Sequence, residues 1–134
     1  MKLDQVTETE LSILQVIWEE GEPTSRDIAD ALYDEVTDPK LASVQKLLER
    51  LEGKGCIERD RSERAHRFRS RISQGDYLKH RLQSLADRLC GGSIAPLMST
   101  LLQSKGISKK EQAELRELID QLWPAAKSKK EGRS

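Results

Sequence analysis

Apolar residues recur at helical spacing three times in the first half of the chain, and each run has its own start signal. Thr7-Glu8-Thr9-Glu10 has the capping-box pattern and predicts a first helix that ends at Gly21. Thr24-Ser25-Arg26-Asp27 opens a second, short helix. Asp38 followed by Pro39 predicts an N-cap with proline at the first helical position. The third helix has an apolar seam made of Leu41, Val44, Leu47, Leu48 and Leu51.

The apolar period then changes from helical to alternating, which predicts a two-stranded hairpin. A turn centred on Ser62-Glu63 places Ile57 opposite Phe68 and Glu58 opposite Arg67. The turn has no Gly or Asn to fix this register. The outer face of the hairpin is expected to carry Arg59, Arg61, Arg64, Arg67, Arg69 and Arg71.

Three more helices follow the hairpin. Their predicted N-caps are Ser73, Ser93 and Ser108, and Gly91-Gly92 and Gly106 separate them. Each helix has an apolar stripe, and a chain this short has little to cover these stripes except a second copy of itself. The residues predicted to form a dimer interface are Leu78, Leu82, Leu85, Leu89, Leu97, Leu101, Leu115, Leu118, Ile119 and Leu122.

The predicted fold class is mainly α with a small β-hairpin, in the order of a winged helix-turn-helix followed by dimerisation helices. Residues 5–72 form the expected DNA-binding domain and residues 73–123 the helical dimerisation region. The polar, basic segment 124–134 is expected to be disordered.

The charge distribution supports this organisation, although 23 Lys and Arg balance 23 Asp and Glu. Residues 1–39 have a net charge of −9, residues 40–71 of +5 and residues 72–134 of +4. Zero net charge therefore hides a basic segment made of the third helix and the hairpin, which is the pattern of a nucleic-acid interface.

Composition also narrows the function. No apolar run is long enough for a membrane span, and the N-terminus lacks the apolar stretch of a signal peptide, so a cytoplasmic protein is expected. Cys56, Cys90, His66 and His80 lack metal-ligand spacing, and no catalytic arrangement stands out. We therefore expect no enzyme activity, no cofactor and no metal.

In a winged helix-turn-helix the second helix braces the third, which enters the DNA major groove, while the hairpin contacts the adjoining backbone. Side chains that can bind base edges and phosphates are available on these elements. The predicted DNA-binding residues are Thr24, Ser25, Arg26, Ser43, Gln45, Lys46, Arg50, Arg64 and Arg67. Glu49 lies on the same helix face and repels phosphate; it either pairs with Lys46 or contacts a cytosine amino group.

Several motifs resemble the penicillinase-repressor family of bacterial transcription repressors (the BlaI/MecI/CopY type). The match covers about residues 5–122. It consists of Thr7-x-x-Glu10-x-x-Ile13-Leu14-x-x-Ile17-Trp18, then Gly21, Thr24 and Arg26-Asp27-Ile28, then Ser43-Val44-Gln45-x-Leu47-Leu48-x-Arg50-Leu51-x-x-Lys54-Gly55, and finally Arg64-Ala65-His66-Arg67-Phe68 and Gly92-Ser93 with Leu97. The resemblance implies a homodimer that binds an inverted-repeat operator through double-stranded DNA contacts and blocks transcription.

The chain departs from the family pattern at a few positions. Family members controlled by a membrane-bound sensor protease are cut at an Asn-Phe bond in the fifth helix, and the matching bond here is Thr100-Leu101, which counts against proteolytic induction. Ala42-Ser43 replaces a Thr-Thr pair, so the operator sequence is expected to differ. Two other functions stay open: a winged helix that binds a protein partner, and a thiol- or metal-responsive sensor.

Overall fold

The computed structural model describes residues 1–103 and 106–122, without the side chain of Leu122. The elements are α1 (Glu8–Glu20), α2 (Ser25–Leu32), α3 (Asp38–Gly53), β1 (Ile57–Asp60), β2 (Arg67–Ser70), α4 (Gln74–Leu89), α5 (Ala95–Leu102) and α6 (Lys109–Leu122). The predicted class, mainly α with a small β-hairpin, is confirmed. The predicted disordered tail, residues 124–134, lies outside the described residues.

The chain divides into two compact units, Met1–Leu85 and the part from Ala86 onward. In the first unit, α1, α2, α3 and the hairpin enclose one apolar core. The helical spacing of the seams explains the core, because residues three and four apart share a helix face. Its fully buried side chains include Ile13, Leu14, Ile17, Ile28, Val44, Leu48, Leu51 and Cys56.

The starts of the first three helices are fixed by threonine caps. The hydroxyls of Thr7 and Thr24 accept hydrogen bonds from the third residue of their helices, and Glu10 and Asp27 accept from the cap N–H groups in return. Both predicted starts are confirmed. The start of α3 lies one residue earlier than predicted, because Thr37 is the N-cap and Asp38 the first helical residue. An acidic residue there is favoured by the helix dipole.

The hairpin forms where the alternation indicates, but its register differs from the prediction. Arg59 pairs with Phe68, and Ile57 pairs with Ser70. A shift of two residues keeps every side chain on its predicted face, except that Arg59 lies on the inner face with Ile57 and Phe68 and not on the outer face. In the observed register the Arg59 guanidinium lies 4.8 Å from the centroid of the Phe68 ring and donates to Glu52, and these contacts favour it over the predicted register. On its other edge β2 has a second partner, since the Phe68 N–H donates to the Pro23 carbonyl at 2.9 Å.

Two of the three predicted N-caps of the C-terminal helices are confirmed. The hydroxyls of Ser73 and Ser108 accept from the backbone N–H groups of Asp76 and Glu111. The prediction for Ser93 is wrong, because α5 starts at Ala95. A cap at Ser93 would need a donor at the third helical position, which would be Pro96, and proline has no N–H.

Most of α4, residues 74–85, belongs to the first unit, and aromatic contacts connect it to the core. Tyr77 is buried, and its ring centroid lies 5.5 Å from that of Trp18. The indole N–H of Trp18 donates to the Ile72 carbonyl at 2.8 Å. Among the described residues, no helix is long and apolar enough to cross a membrane.

Candidate nucleic-acid interface

The solvent-exposed face of α3 is polar except for Ala42. Val44, Leu48 and Leu51 are buried on the opposite face, so the helix presents short or flexible hydrogen-bonding side chains outward. These exposed residues are Ala42, Ser43, Gln45, Lys46, Glu49 and Arg50. The Ser43 hydroxyl donates to the Pro39 carbonyl at 3.0 Å, which leaves its oxygen free to accept.

A cleft of about 360 Å³ separates α3 from the hairpin. Three of the predicted DNA-binding residues, Ser25, Gln45 and Arg64, line it together. The cleft is also lined by Glu49, the acidic residue expected on this face of α3, and by residues that are not among the predicted DNA-binding ones: Arg59, Ala65, His66 and Phe68. Lys46 and Arg50 lie outside the cleft lining, on the exposed face of α3.

Arg59 joins the hairpin to α3 from the inner side of the sheet. Its guanidinium donates to Glu52 Oε1 at 2.6 and 3.1 Å and lies 4.8 Å from the centroid of the Phe68 ring. Arg59 and Glu52 are both largely buried. The signal that could have found Arg59 is the period of two, because residue 59 shares the inward face with Ile57.

The outer face of the hairpin is a network of ion pairs. Arg69 binds both Glu22 and Glu58 at 3.2 Å, and Arg67 binds Glu63 at 3.5 Å and donates to the Glu22 carbonyl at 2.9 Å. Glu22 thus lies against the hairpin. These arginines are already partly neutralised.

The ion pairs leave a distinct set of cations on α3 and the tip of the hairpin. Among the residues that the structure describes, Lys46, Arg50, Arg61 and Arg64 have no side-chain partner. We call these four the unpaired cations. They are all exposed, so their charge is available to an anionic partner.

The remaining predicted residues have structural roles at the start of α2. Thr24 caps α2 and forms an isolated antiparallel bridge with Arg67. The backbone N–H and the hydroxyl of Thr24 hold the pKa of Asp27 below its ordinary value. Arg26 pairs with Asp30 at 3.3 Å on the surface.

The first unit has three packed helices followed by a hairpin, and the unpaired cations lie on α3 and on the tip of that hairpin. This combination defines a winged helix-turn-helix that binds DNA. The family model of the penicillinase repressor matches residues 6–121. The chain therefore belongs to the penicillinase repressor family. It is a DNA-binding transcriptional regulator of this family and not an enzyme.

Two penicillinase repressors are similar to this chain over most of its length. The chain is 24% identical to a penicillinase repressor from Bacillus licheniformis over 121 residues, which cover 90% of this chain and 93% of the relative. It is 23% identical to a penicillinase repressor from Staphylococcus aureus over 120 residues, covering 88% and 93%. A solved MarR family protein from Bacillus stearothermophilus is 20% identical, with a TM-score of 0.47 and coverage of 92% and 76%.

Proposed function

We propose that this regulator is a repressor that binds an inverted-repeat operator as a homodimer. The observation that supports the binding mode is the position of the unpaired cations, Lys46, Arg50, Arg61 and Arg64, on α3 and the hairpin tip. In this proposal α3 enters the major groove and the hairpin follows the adjoining phosphates.

The proposal divides the residues by role. Ser43, Gln45, Lys46 and Arg50 contact base edges from the exposed face of α3. Arg64 contacts phosphate, and we add Arg61, which is also exposed and unpaired among the described residues. Arg67 and the start of α2 at Thr24, Ser25 and Arg26 support the same backbone contact.

The proposed functional boundaries are residues 5–72 for DNA binding and 73–123 for dimerisation. Exposed apolar side chains on α4, α5 and α6 support dimerisation, since such stripes are costly to leave in water. The exposed ones are Leu78, Leu85, Leu89, Leu101, Leu102, Leu118 and Ile119. Cleavage at Thr100-Leu101 by a sensor protease is not part of the proposal, because neither residue matches the family's cleaved bond.

Gel-shift titrations with DNA from upstream of the protein's own coding region test this function. Affinity should fall steeply between about 50 and 200 mM salt, since bound cations release counterions from phosphates. Arg64→Ala should weaken binding to all sequences alike and reduce the salt slope by about one. Arg88→Ala on α4 is the control and should change neither.

The second part of the test measures which DNA sequences the protein prefers. Gln45→Ala or Arg50→Ala should change the preferred site, at roughly 1–3 kcal/mol for each lost base contact. If both variants select the same DNA sequences as the wild type, α3 is not the recognition helix. Binding that does not depend on salt contradicts the proposal as a whole.

The structure does not favour the two alternatives. A protein-binding winged helix would need an apolar patch on α3, and its exposed residues are polar or small. A thiol sensor needs an accessible thiolate. Cys56 is fully buried and burial raises the pKa of its thiol, so the partly exposed Cys90 is the thiol that a sensor would have to use. Within residues 1–103 and 106–122, no group of three or more His, Cys, Asp or Glu could hold a metal.

A further inference from the structure

Glu49 is an acidic side chain on the face of α3 that also presents Lys46 and Arg50. It is exposed and lines the cleft with Gln45 and Arg64. Among the described residues, its carboxylate has no hydrogen-bond or ion-pair partner, so the pairing with Lys46 is not present. Other acidic groups of this region do have arginine partners: Glu52 with Arg59, Glu58 with Arg69 and Glu63 with Arg67.

An unpaired carboxylate opposes non-specific DNA binding, because it repels the phosphates that the cations attract. A favourable contribution from Glu49 must therefore come from a hydrogen-bond donor on the DNA. An ionised carboxylate can only accept hydrogen bonds. In the major groove, guanine presents N7 and O6 acceptors and thymine an O4 acceptor, whereas cytosine presents its N4 amino donor. Adenine has an amino donor beside the N7 acceptor, which a carboxylate repels.

We propose that Glu49 determines sequence specificity by accepting a hydrogen bond from the amino group of a cytosine and by rejecting guanine and thymine at that position. This inference rests on the proposed insertion of α3 into the major groove. Glu49 follows Gln45 by four residues, or about 6 Å along the helix axis. The two side chains therefore read different base pairs.

The test starts with selection of double-stranded DNA from a random library by the full chain and by Glu49→Gln. The wild type should require cytosine at one position where Glu49→Gln accepts adenine, because an amide can pair with both N6 and N7 of adenine.

In a second experiment, cytosine at that position is replaced by 2-pyrimidinone, which lacks the amino group. Wild-type affinity should fall about 5- to 150-fold, the range of one base contact. The affinity of Glu49→Ala should change less than twofold.

Glu20→Gln is the matched control, since it removes the same charge from an exposed position on α1. It should select the same sequences as the wild type. The proposal is overturned if Glu49→Gln keeps the wild-type preference at every position, or if 2-pyrimidinone weakens the wild type and Glu49→Ala equally. If Arg50→Ala alters the selected site while Glu49→Gln does not, only the role of Glu49 is wrong. If the wild type selects no sequence at all, the proposed function fails with it.

Discussion

At the scale of single residues, a largely buried ion pair joins α1 to the end of α3. Lys54 Nζ donates to both carboxylate oxygens of Glu10 at 2.6 and 2.8 Å, and Glu10 has no exposed surface. Glu10 also accepts from the Thr7 N–H, and Lys54 also donates to the Gln5 carbonyl. The sequence predicts the capping role of Glu10, but not this partner 44 residues away.

Replacing Lys54 should therefore lower the stability of the fold. Lys54→Met leaves the Glu10 charge buried and without its partner, and we expect it to lower the free energy of unfolding by about 3–5 kcal/mol. Urea unfolding followed by circular dichroism measures this change. Lys46→Met, at an exposed position on α3, is the control and should stay within about 0.5 kcal/mol of the wild type. Equal stability of the two variants contradicts the structural role of the pair.

The same pair predicts the response to acid. Burial alone raises the pKa of Glu10, but the hydrogen bonds from Lys54 and Thr7 outweigh it and hold the pKa below its ordinary value of 4.5. A carboxyl group with a lowered pKa stabilises the fold above its unfolded-state pKa, and this contribution is lost as the pH falls through the folded-state value. The free energy of unfolding, measured from pH 7 down to pH 3, should decrease below about pH 4.5. Glu10→Gln should make this decrease smaller. An unchanged profile in the variant rules the mechanism out.

At the scale of elements, local signals predict where segments start, but not how they pair. The capping boxes at Thr7 and Thr24 lie within single turns and are legible in the sequence. The hairpin register is not legible, because a turn without Gly or Asn does not fix it and the contact of Arg59 with Phe68 across the strands forms only in the folded protein. The link from Arg59 to Glu52 follows from the inward face of β1 and fixes the hairpin against α3.

Arg59→Met tests that link, because it keeps much of the buried volume and removes the charge. Loss of hydrogen bonds to a charged partner should destabilise the protein by about 1.5–3 kcal/mol. DNA affinity should fall without a change in the preferred sequence, since the hairpin is displaced and α3 is not altered. Arg69→Met is the control: its partners are exposed, and exposed ion pairs contribute about 0–1 kcal/mol. Equal destabilisation by both substitutions contradicts the positioning role of Arg59.

At the scale of the whole molecule, the zero net charge and the exposed leucines both bear on the proposed homodimer. A net charge of zero gives DNA no general attraction, so the proposed binding relies on the unpaired cations. In the proposed homodimer this surface is present twice and the apolar stripes are covered. Linking two binding modules can raise affinity by about 10²- to 10⁴-fold without any new type of contact.

Leu85→Asp and Leu89→Asp should therefore yield monomers in sedimentation experiments and lose this gain in operator affinity. Leu89 is 71% exposed, so its substitution leaves the core intact. Gln83→Asp adds the same charge on the other side of α4 and should remain dimeric. A wild-type protein that sediments as a monomer at micromolar concentration contradicts the dimer.

The sequence by itself determined the fold class, most helix limits, the polar face of α3 and the family resemblance, because periodicity and caps depend on residues within one or two turns. Only the tertiary structure decided which charges remain available. The pairing of Arg69 with Glu22, Arg59 with Glu52 and Lys54 with Glu10 joins residues from different elements. Six arginines on a hairpin look equivalent in the sequence, but their geometry leaves Arg61 and Arg64 exposed and unpaired among the described residues.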